Sequence, residues 1–539
     1  MTWRSWRGRA STEQVIALVS LGFTLLCNGP FWHAALSASH AGVRLVLSLL
    51  LIVTGLHALL ISLVATRRTL RPLLTIVIPL TALAAWFMQS YGLYVDADML
   101  RNVLHTDRRE AGELLTPGLL MPLVPALLVV VLLWRVDLVA RPSWRHAVLL
   151  RALFVGACLL AIAAGGALSS RALASLIRGQ REVRYLVTPA NYLVSLGRVL
   201  SDARRGGQTR RLPIGADAHL SPAARQAGRK PRLLVLVVGE TVRAQNWGLN
   251  GVTRQTTPEL AARHDVLNFP DMHACGSSTE VSLPCMFSPY GRADYDEAKI
   301  RAHQSLLHVL ARVGVHVLWR DNQSGCKGVC DGLAVQSLTS SRDPVLCNAL
   351  RCQDGILLKG LEDTLDPAHG DQVIVLHQLG NHGPNYFERS PKAFARFMPT
   401  CMHPDLGACR REEIVNAYDN AVSYTDHVLN AAIGWLQARH DYDTALLYVS
   451  DHGESLGEKG LFLHGMPYAI APEEQLRVPM VMWFSQQWLD HDGLHLDCMR
   501  TRASQPASHD NLFSTVLGLM QVKTGLYLRE RDLLAQCRA

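Results

Sequence analysis

The chain has 539 residues, 49% of them hydrophobic, with a formal net charge of +8. That length exceeds one ordinary domain. The apolar residues concentrate in the first 170 positions, so the average composition describes neither half. Part of the positive balance is arginine flanking apolar segments; it gives no support to nucleic acid as a partner, and none is expected.

Five apolar segments reach or approach the roughly 20 residues that a bilayer crossing needs. They are 15–36, 43–66, 70–92, 119–136 and 147–169. The first is too long, and too poor in a cleavage site, for a removable signal peptide. Arg4, Arg7 and Arg9 precede it. Arg67, Arg68 and Arg71 lie between segments two and three or at their edge, and Arg135, Arg141 and Arg145 likewise at the junction of four and five. The loop at 37–42 has no Lys or Arg, and the 91–118 loop has three Arg against five acids. Lys and Arg mark the cytoplasmic side, so the N-terminus is expected inside and everything past about residue 170 outside, in a bacterial periplasm. Within the 91–118 loop, Asn102, Thr106 and Glu110 fall at i, i+4 and i+8, one face of a helix.

Residues 171–230 are expected to bridge two domains. The stretch 183–200 is apolar and basic, as in an interfacial helix or an ordinary surface helix, and "RRGGQTRRLP" (204–213) reads as a linker. From 231 onward the pattern changes. Near-continuous apolar runs at 232–240, 315–321, 371–380, 444–451 and 478–484 alternate with helical stretches. Such runs suit strands buried on both faces, and the alternation suits an α/β sandwich with a mostly parallel sheet. The active site of such a sheet forms at the carboxyl ends of its strands.

Those ends carry Glu240 with Thr241, His377 and then His382, and Asp451 with His452; His464 follows shortly after. One strand-end acid reads as a helix cap. Carboxylate or imidazole on three strands reads as a metal site. In "HACGSSTEVSLPCMF" (273–287), Ser277, Ser278 and Thr279 precede a short run that could start a helix. There a hydroxyl faces free N–H groups, a favourable place for phosphate, although a plain N-cap has the same look.

Cys27 and Cys158 lie in apolar segments. The other ten cysteines, Cys275, Cys285, Cys326, Cys330, Cys347, Cys352, Cys401, Cys409, Cys498 and Cys537, are all in the part placed outside. An even number in an oxidising compartment suggests five disulfides, for which we take sequence neighbours as pairs. A zinc cluster from "CKGVC" (326–330) is the alternative, with no second matching pair to complete it.

The stretches "VVGETVRAQNWGLNGVTRQTTPEL" (237–260), "CGSSTEVSLPCMFS" (275–288), "NHGPNY" (381–386) and "SDHGESLGEKGLFLHG" (450–465), with the five-segment membrane domain, resemble the lipid A phosphoethanolamine transferases across essentially the whole chain. The resemblance implies a five-helix transmembrane domain (1–170), a bridging segment and linker (171–230), and a periplasmic catalytic domain (231–539) of alkaline-phosphatase/sulfatase fold. It implies Thr279 as the nucleophile, with Glu240, Thr279, Asp451 and His452 binding one tight Zn²⁺. His382 and His464 would hold phosphate, move a proton or bind a second zinc, and His377 is a weaker candidate for the same region. Asn102, Thr106 and Glu110 match positions associated with the ethanolamine headgroup. Ser324 and Lys327 match positions that contact phosphate. Phosphatidylethanolamine is the implied donor and lipid A the acceptor. A monomer in the inner membrane is expected, with modification of the outer surface lowering polymyxin binding.

Three other readings compete. Gly453, Ser455 and Gly457 spell G-x-S-x-G, the nucleophile elbow of serine hydrolases, with Asp490, His491, His509 and Asp510 as later partners; Asp451 and His452 interrupt the strand-to-elbow order. A membrane-anchored phosphoglycerol transferase or sulfatase would share the metal core, and the acceptor could be another envelope glycan. A decayed domain acting as a sensor or scaffold is disfavoured, because every metal-site position of the family motif is occupied.

Overall fold

The computed structural model describes residues 8–37, 42–106, 108–205, 211–225, 228–348 and 351–538. Arg4 and Arg7, and the centre of the expected linker at 206–210, lie outside the described residues. The described chain forms two compact units: Met1–Leu100 with Leu115–Ser201, and Arg101–Leu114 with Asp202–Ala539.

Among the described residues of the first unit, four helices are long and apolar enough to cross a membrane. They are Val43–Val64, Leu70–Tyr91, Pro117–Arg135 and Trp144–Leu168. The expected segment 15–36 is instead a bent pair, Thr12–Leu26 and Gly29–Ser37, inclined at 59°. The break has a local cause. Pro30 has no N–H to continue a helix and suits a first turn. Asn28 then satisfies the exposed backbone: its Nδ2 donates to the Phe23 and Thr188 carbonyls, and its Oδ1 accepts from Thr188 N. Counted as one span, the pair brings the total to five. Val43–Val64 packs closely against Trp144–Leu168. A Cβ on Gly165 would lie 2.8 Å from the Ser48 carbonyl oxygen, and Ser48 Oγ donates to Gly165 O at 2.6 Å. Small residues and cross-helix hydrogen bonds of this kind hold apolar helices together where lipid offers no hydrophobic drive.

The stretch carrying Asn102, Thr106 and Glu110 is not one helix. It forms Ala97–His105 and Arg108–Glu113. Thr106 lies in the break, its Oγ1 donating to Asn102 O at 2.6 Å, the back-bonding by which threonine competes with helix continuation. Asp107 and the Glu110 side chain lie outside the described residues.

The second unit is built on an eight-stranded sheet. In chain order its strands are β1 Arg232–Gly239, β2 Val266–His273, β3 His316–Asp321, β4 Ala334–Ser337, β5 Gln372–His377, β6 Asp443–Ser450, β7 Arg477–Phe484 and β8 Ala507–Ser508. Their spatial order is β8-β2-β7-β6-β1-β5-β3-β4. All pairs are parallel except those of β7, which runs antiparallel to β2 and β6. Every residue of β1, β5 and β6 is buried, as expected of strands covered on both faces. The carboxyl ends of β1, β3, β5 and β6 therefore share one edge. All five expected disulfides are present: Cys275–Cys285, Cys326–Cys330, Cys347–Cys352, Cys401–Cys409 and Cys498–Cys537. Cys326 and Cys330 are thus bonded to each other, which overturns the zinc-cluster alternative. Cys27 and Cys158 are free thiols.

Candidate metal centre and nucleophile

Glu240 follows β1 and Asp451 follows β6, and the parallel register of these two strands sets the acids side by side. The backbone between them is strained. Thr241 has φ of 63°, a costly conformation for a β-branched residue. It is held by its neighbours: Thr241 N donates to Asp451 Oδ1 at 3.2 Å, its Oγ1 to Glu240 Oε1 at 2.7 Å, and its carbonyl accepts from Tyr418 Oη at 2.7 Å. Gly380, with φ of 54°, passes so close that a Cβ would lie 2.5 Å from the Glu240 carbonyl, so no side chain fits there.

Thr279 opens the helix Thr279–Met286. The N-cap Ser278 makes no side-chain capping bond, so the stretch is not a plain Ser/Thr cap. Cys275–Cys285 ties the turn before this helix to its last turn. The Thr279 hydroxyl points at the acids, 3.0 and 3.1 Å from the two Glu240 oxygens and 3.2 Å from His452 Nε2. His452 Nε2 lies 3.3 Å from Glu240 Oε1 and 3.4 Å from Asp451 Oδ2. All four residues are buried.

This arrangement calls for a cation. His452 Nδ1 donates to the Gly453 carbonyl at 2.9 Å, which leaves Nε2 as a lone-pair donor aimed at two carboxylates. Among the described residues, Asp451 Oδ2 is buried and receives no hydrogen bond, an expensive orphan. Without a cation a proton takes its place, chiefly on His452 Nε2. Burial and the Glu240 charge push the Asp451 carboxyl up to about 7. Burial opposes ionisation of Glu240 as well, but the His452 hydrogen bond and charge outweigh it and hold Glu240 below the usual range. The imidazole of His452 loses by burial and gains more from Asp451 and Glu240, rising to about 9. Ligand atoms of Glu240, Asp451 and His452 lie within 4.8 Å of one another. Two carboxylates, one imidazole and one hydroxyl are a donor set suited to zinc.

The other expected residues divide. His464 joins the site, its ring 4.4 Å from that of His452 and 5.2 Å from that of His382. Glu454, which sequence reasoning missed, holds His464 Nδ1 at 2.7 Å and accepts from Tyr386 Oη at 2.5 Å. Ser324 and Lys327 reach it through a second missed residue, Gln323. Lys327 Nζ donates to Ser324 Oγ at 2.8 Å, Ser324 Oγ to Gln323 Oε1 at 2.5 Å, and Gln323 Nε2 to Glu240 Oε2 at 3.2 Å. The strand-end signal that selects Glu240 also applies to Gln323, two residues past β3, but a lone amide carries no metal-ligand signature in sequence. His377 stands apart from the ligand group, paired through Nδ1 with Asp321 at 2.7 Å. Burial lowers its basicity and Asp321 more than restores it.

The serine-hydrolase constellation does not form. Ser455 Oγ accepts from Gln475 Nε2 at 2.9 Å. The later acids and histidines are engaged elsewhere: His491 with Asp443, Asp510 with the Arg292 and Ala293 N–H groups, and His509 with Cys275 N and Ser282 Oγ.

Comparison with known proteins decides the family. Residues 232–522 match the sulfatase family model and residues 53–204 the model of phosphoethanolamine transferase EptA/EptB. The chain is 39% identical over 474 residues to phosphoethanolamine transferase EptA of Escherichia coli (strain K12), covering 87% of this chain and 86% of that one. It belongs to the phosphoethanolamine transferase family. The phosphatidylethanolamine transferase Mcr-1 of Escherichia coli is 37% identical over 498 residues, 89% of this chain and 91% of that one. The integral membrane lipooligosaccharide phosphoethanolamine transferase A of Neisseria meningitidis superposes with a TM-score of 0.92 at 37% identity, over 98% of this chain and 99% of that one. This transferase therefore pairs an apolar helical N-terminal region with a sulfatase-like α/β domain.

Proposed function

We propose that the chain transfers phosphoethanolamine from phosphatidylethanolamine to a phosphate of lipid A, with Thr279 as the nucleophile. The observation that carries this reading is the Thr279 hydroxyl, buried at a helix start and aimed at the Glu240, Asp451 and His452 donors. The donor class follows the name of Mcr-1, and the acceptor class follows the lipooligosaccharide of the meningococcal relative.

Glu240, Thr279, Asp451 and His452 would hold one Zn²⁺. Bound there, zinc would lower the pKa of the threonine hydroxyl and neutralise charge on the phosphate oxygens. Thr279 Oγ1 attacks the phosphorus of the donor, the bond to the diacylglycerol oxygen breaks, and that oxygen takes up a proton. A lipid A phosphate oxygen then attacks the phosphoethanolaminyl-threonine and Thr279 recovers its hydroxyl. His464, oriented by Glu454, and His382 would hold phosphate oxygens or carry these protons. Lys327 adds a point charge for phosphate, Ser324 a hydroxyl. Asn102, Thr106 and Glu110 would meet the ethanolamine headgroup. In this reading 1–170 crosses the bacterial inner membrane with its N-terminus in the cytoplasm, 171–230 bridges, and 231–539 works as a monomer in the periplasm. The added ethanolamine cation would lower the binding of polymyxin and other cationic peptides.

Mass spectrometry of lipid A from cells expressing the wild type and Thr279→Ala tests it. A phosphoethanolamine adduct only with the wild type supports the proposal. An adduct with both removes Thr279, and none with either moves the acceptor to another envelope glycan.

A further inference from the structure

The segment Arg101–Leu114 clusters with the catalytic unit rather than with the apolar helices that flank it in sequence. Polar side-chain contacts hold it at both ends. Arg101 meets Glu297 at 2.6 Å, and His105 meets Glu280, the residue after Thr279, at 2.9 Å. At the far end Glu113 is paired with two buried arginines, Arg389 at 2.7 Å and Arg351. Arg389 is shared. Its Nη2 donates to Glu113 Oε2, while its Nε donates to the His382 carbonyl at 2.5 Å. The Arg389 side chain is 1% exposed and that of Glu113 9%, so neither charge has water as a substitute partner.

We infer that Arg389, held by Glu113, is a positioning residue for His382, fixing this histidine against the segment that carries Asn102, Thr106 and Glu110. The inference rests on the proposed function for the part His382 plays. One planar guanidinium reaches both partners at once, which a lysine ammonium does not reproduce with the same geometry. His382 follows β5 on a loop, and its Nδ1 donates to the carbonyl of the next residue, Gly383, at 2.8 Å. The Arg389 bond ties that loop's backbone to a segment far away in sequence. A displaced His382 would meet the donor phosphate badly while the donor still bound.

Arg351 supplies the control. It also pairs with Glu113, and with Glu388 at 3.1 Å, while the guanidinium on the His382 carbonyl is that of Arg389. Full-length Arg389→Gln, Arg389→Lys, Glu113→Gln and Arg351→Gln are compared in detergent with phosphatidylethanolamine vesicles, following kcat, donor KM, zinc content and Tm. Arg389→Gln and Glu113→Gln are expected to lose about 10–100-fold in kcat, the usual cost of an outer orienting partner. Zinc content stays stoichiometric and donor KM stays within about threefold, a loss that appears in kcat alone. The double variant Glu113→Gln with Arg389→Gln is no worse than Arg389→Gln alone, because Glu113 and Arg389 act as one unit, and Arg389→Lys recovers part of the loss. Arg351→Gln lowers Tm as much as Arg389→Gln yet keeps kcat within about threefold. Equal kcat loss in Arg351→Gln, or a loss confined to KM or zinc, overturns the assignment. His382→Ala is run alongside: full activity there refutes the role of His382 itself, separately from the Arg389 link.

Discussion

The Thr279 hydroxyl stands 3.2 Å from His452 Nε2, while the other ring nitrogen of His452 is bound to the Gly453 carbonyl. The imidazole therefore turns Nε2, its metal-binding nitrogen, toward the hydroxyl and two carboxylates, and Asp451 Oδ2 has no hydrogen bond among the described residues. A divalent cation resolves all of these contacts together. Zinc measured by plasma emission should be stoichiometric in the wild type and absent in Asp451→Asn and His452→Ala, with activity reduced beyond about 100-fold, the upper end for mere outer-partner loss. Chelation should remove activity and added zinc should return it.

Gln323 is the carboxylate's outer partner, 3.2 Å from Glu240 Oε2. Gln323→Leu leaves Glu240 with one bond fewer and frees Ser324 and Lys327 from their anchor. Zinc affinity or turnover should fall about 10–100-fold, read by competition with a fluorescent chelator and by initial rates.

Ser455→Ala should keep activity within about threefold. Its hydroxyl serves Gln475 Nε2 and nothing in the site. The cost belongs to stability, about 1 kcal/mol for one buried hydrogen bond, measurable by chemical denaturation of the purified protein.

His509 joins three pieces of the site's wall. Its Nδ1 accepts from Cys275 N and faces Ser282 Oγ, and its Nε2 donates to the Ser450 carbonyl. Burial pushes its pKa down to about 4, against about 6.5 when unfolded. The unfolded chain thus binds the proton first. This contribution is present in full above pH 6.5 and is lost as pH falls toward 4, up to roughly 3 kcal/mol at 1.36 kcal/mol per unit. The Tm of the wild type should drop across that window, and His509→Gln, which has no proton to take up, should show a flatter profile.

The site was legible where residue type, strand ends and long motifs coincided. Glu240, Asp451 and His452 follow continuous apolar runs, and the run itself betrays a strand buried on both faces. The same logic missed β2, whose burial alternates and which contains Pro270, and the exposed edge strand β4. Asn102, Thr106 and Glu110 have ideal helical spacing, but spacing carries no record of the Thr106 hydroxyl turning back on Asn102. Glu113 and Arg389 were invisible for a different reason. Their pairing spans 276 residues, and no local pattern encodes so distant a partner. The bend at Asn28 escaped because hydropathy sums apolarity without registering the Gly29-Pro30 step.

The most direct measurement is peptide mass spectrometry of the purified enzyme after incubation with phosphatidylethanolamine vesicles and no acceptor. The account predicts one phosphoethanolamine on the peptide containing Thr279, removed when lipid A is added. Active enzyme that carries no adduct under these conditions, or carries it on another residue, contradicts it.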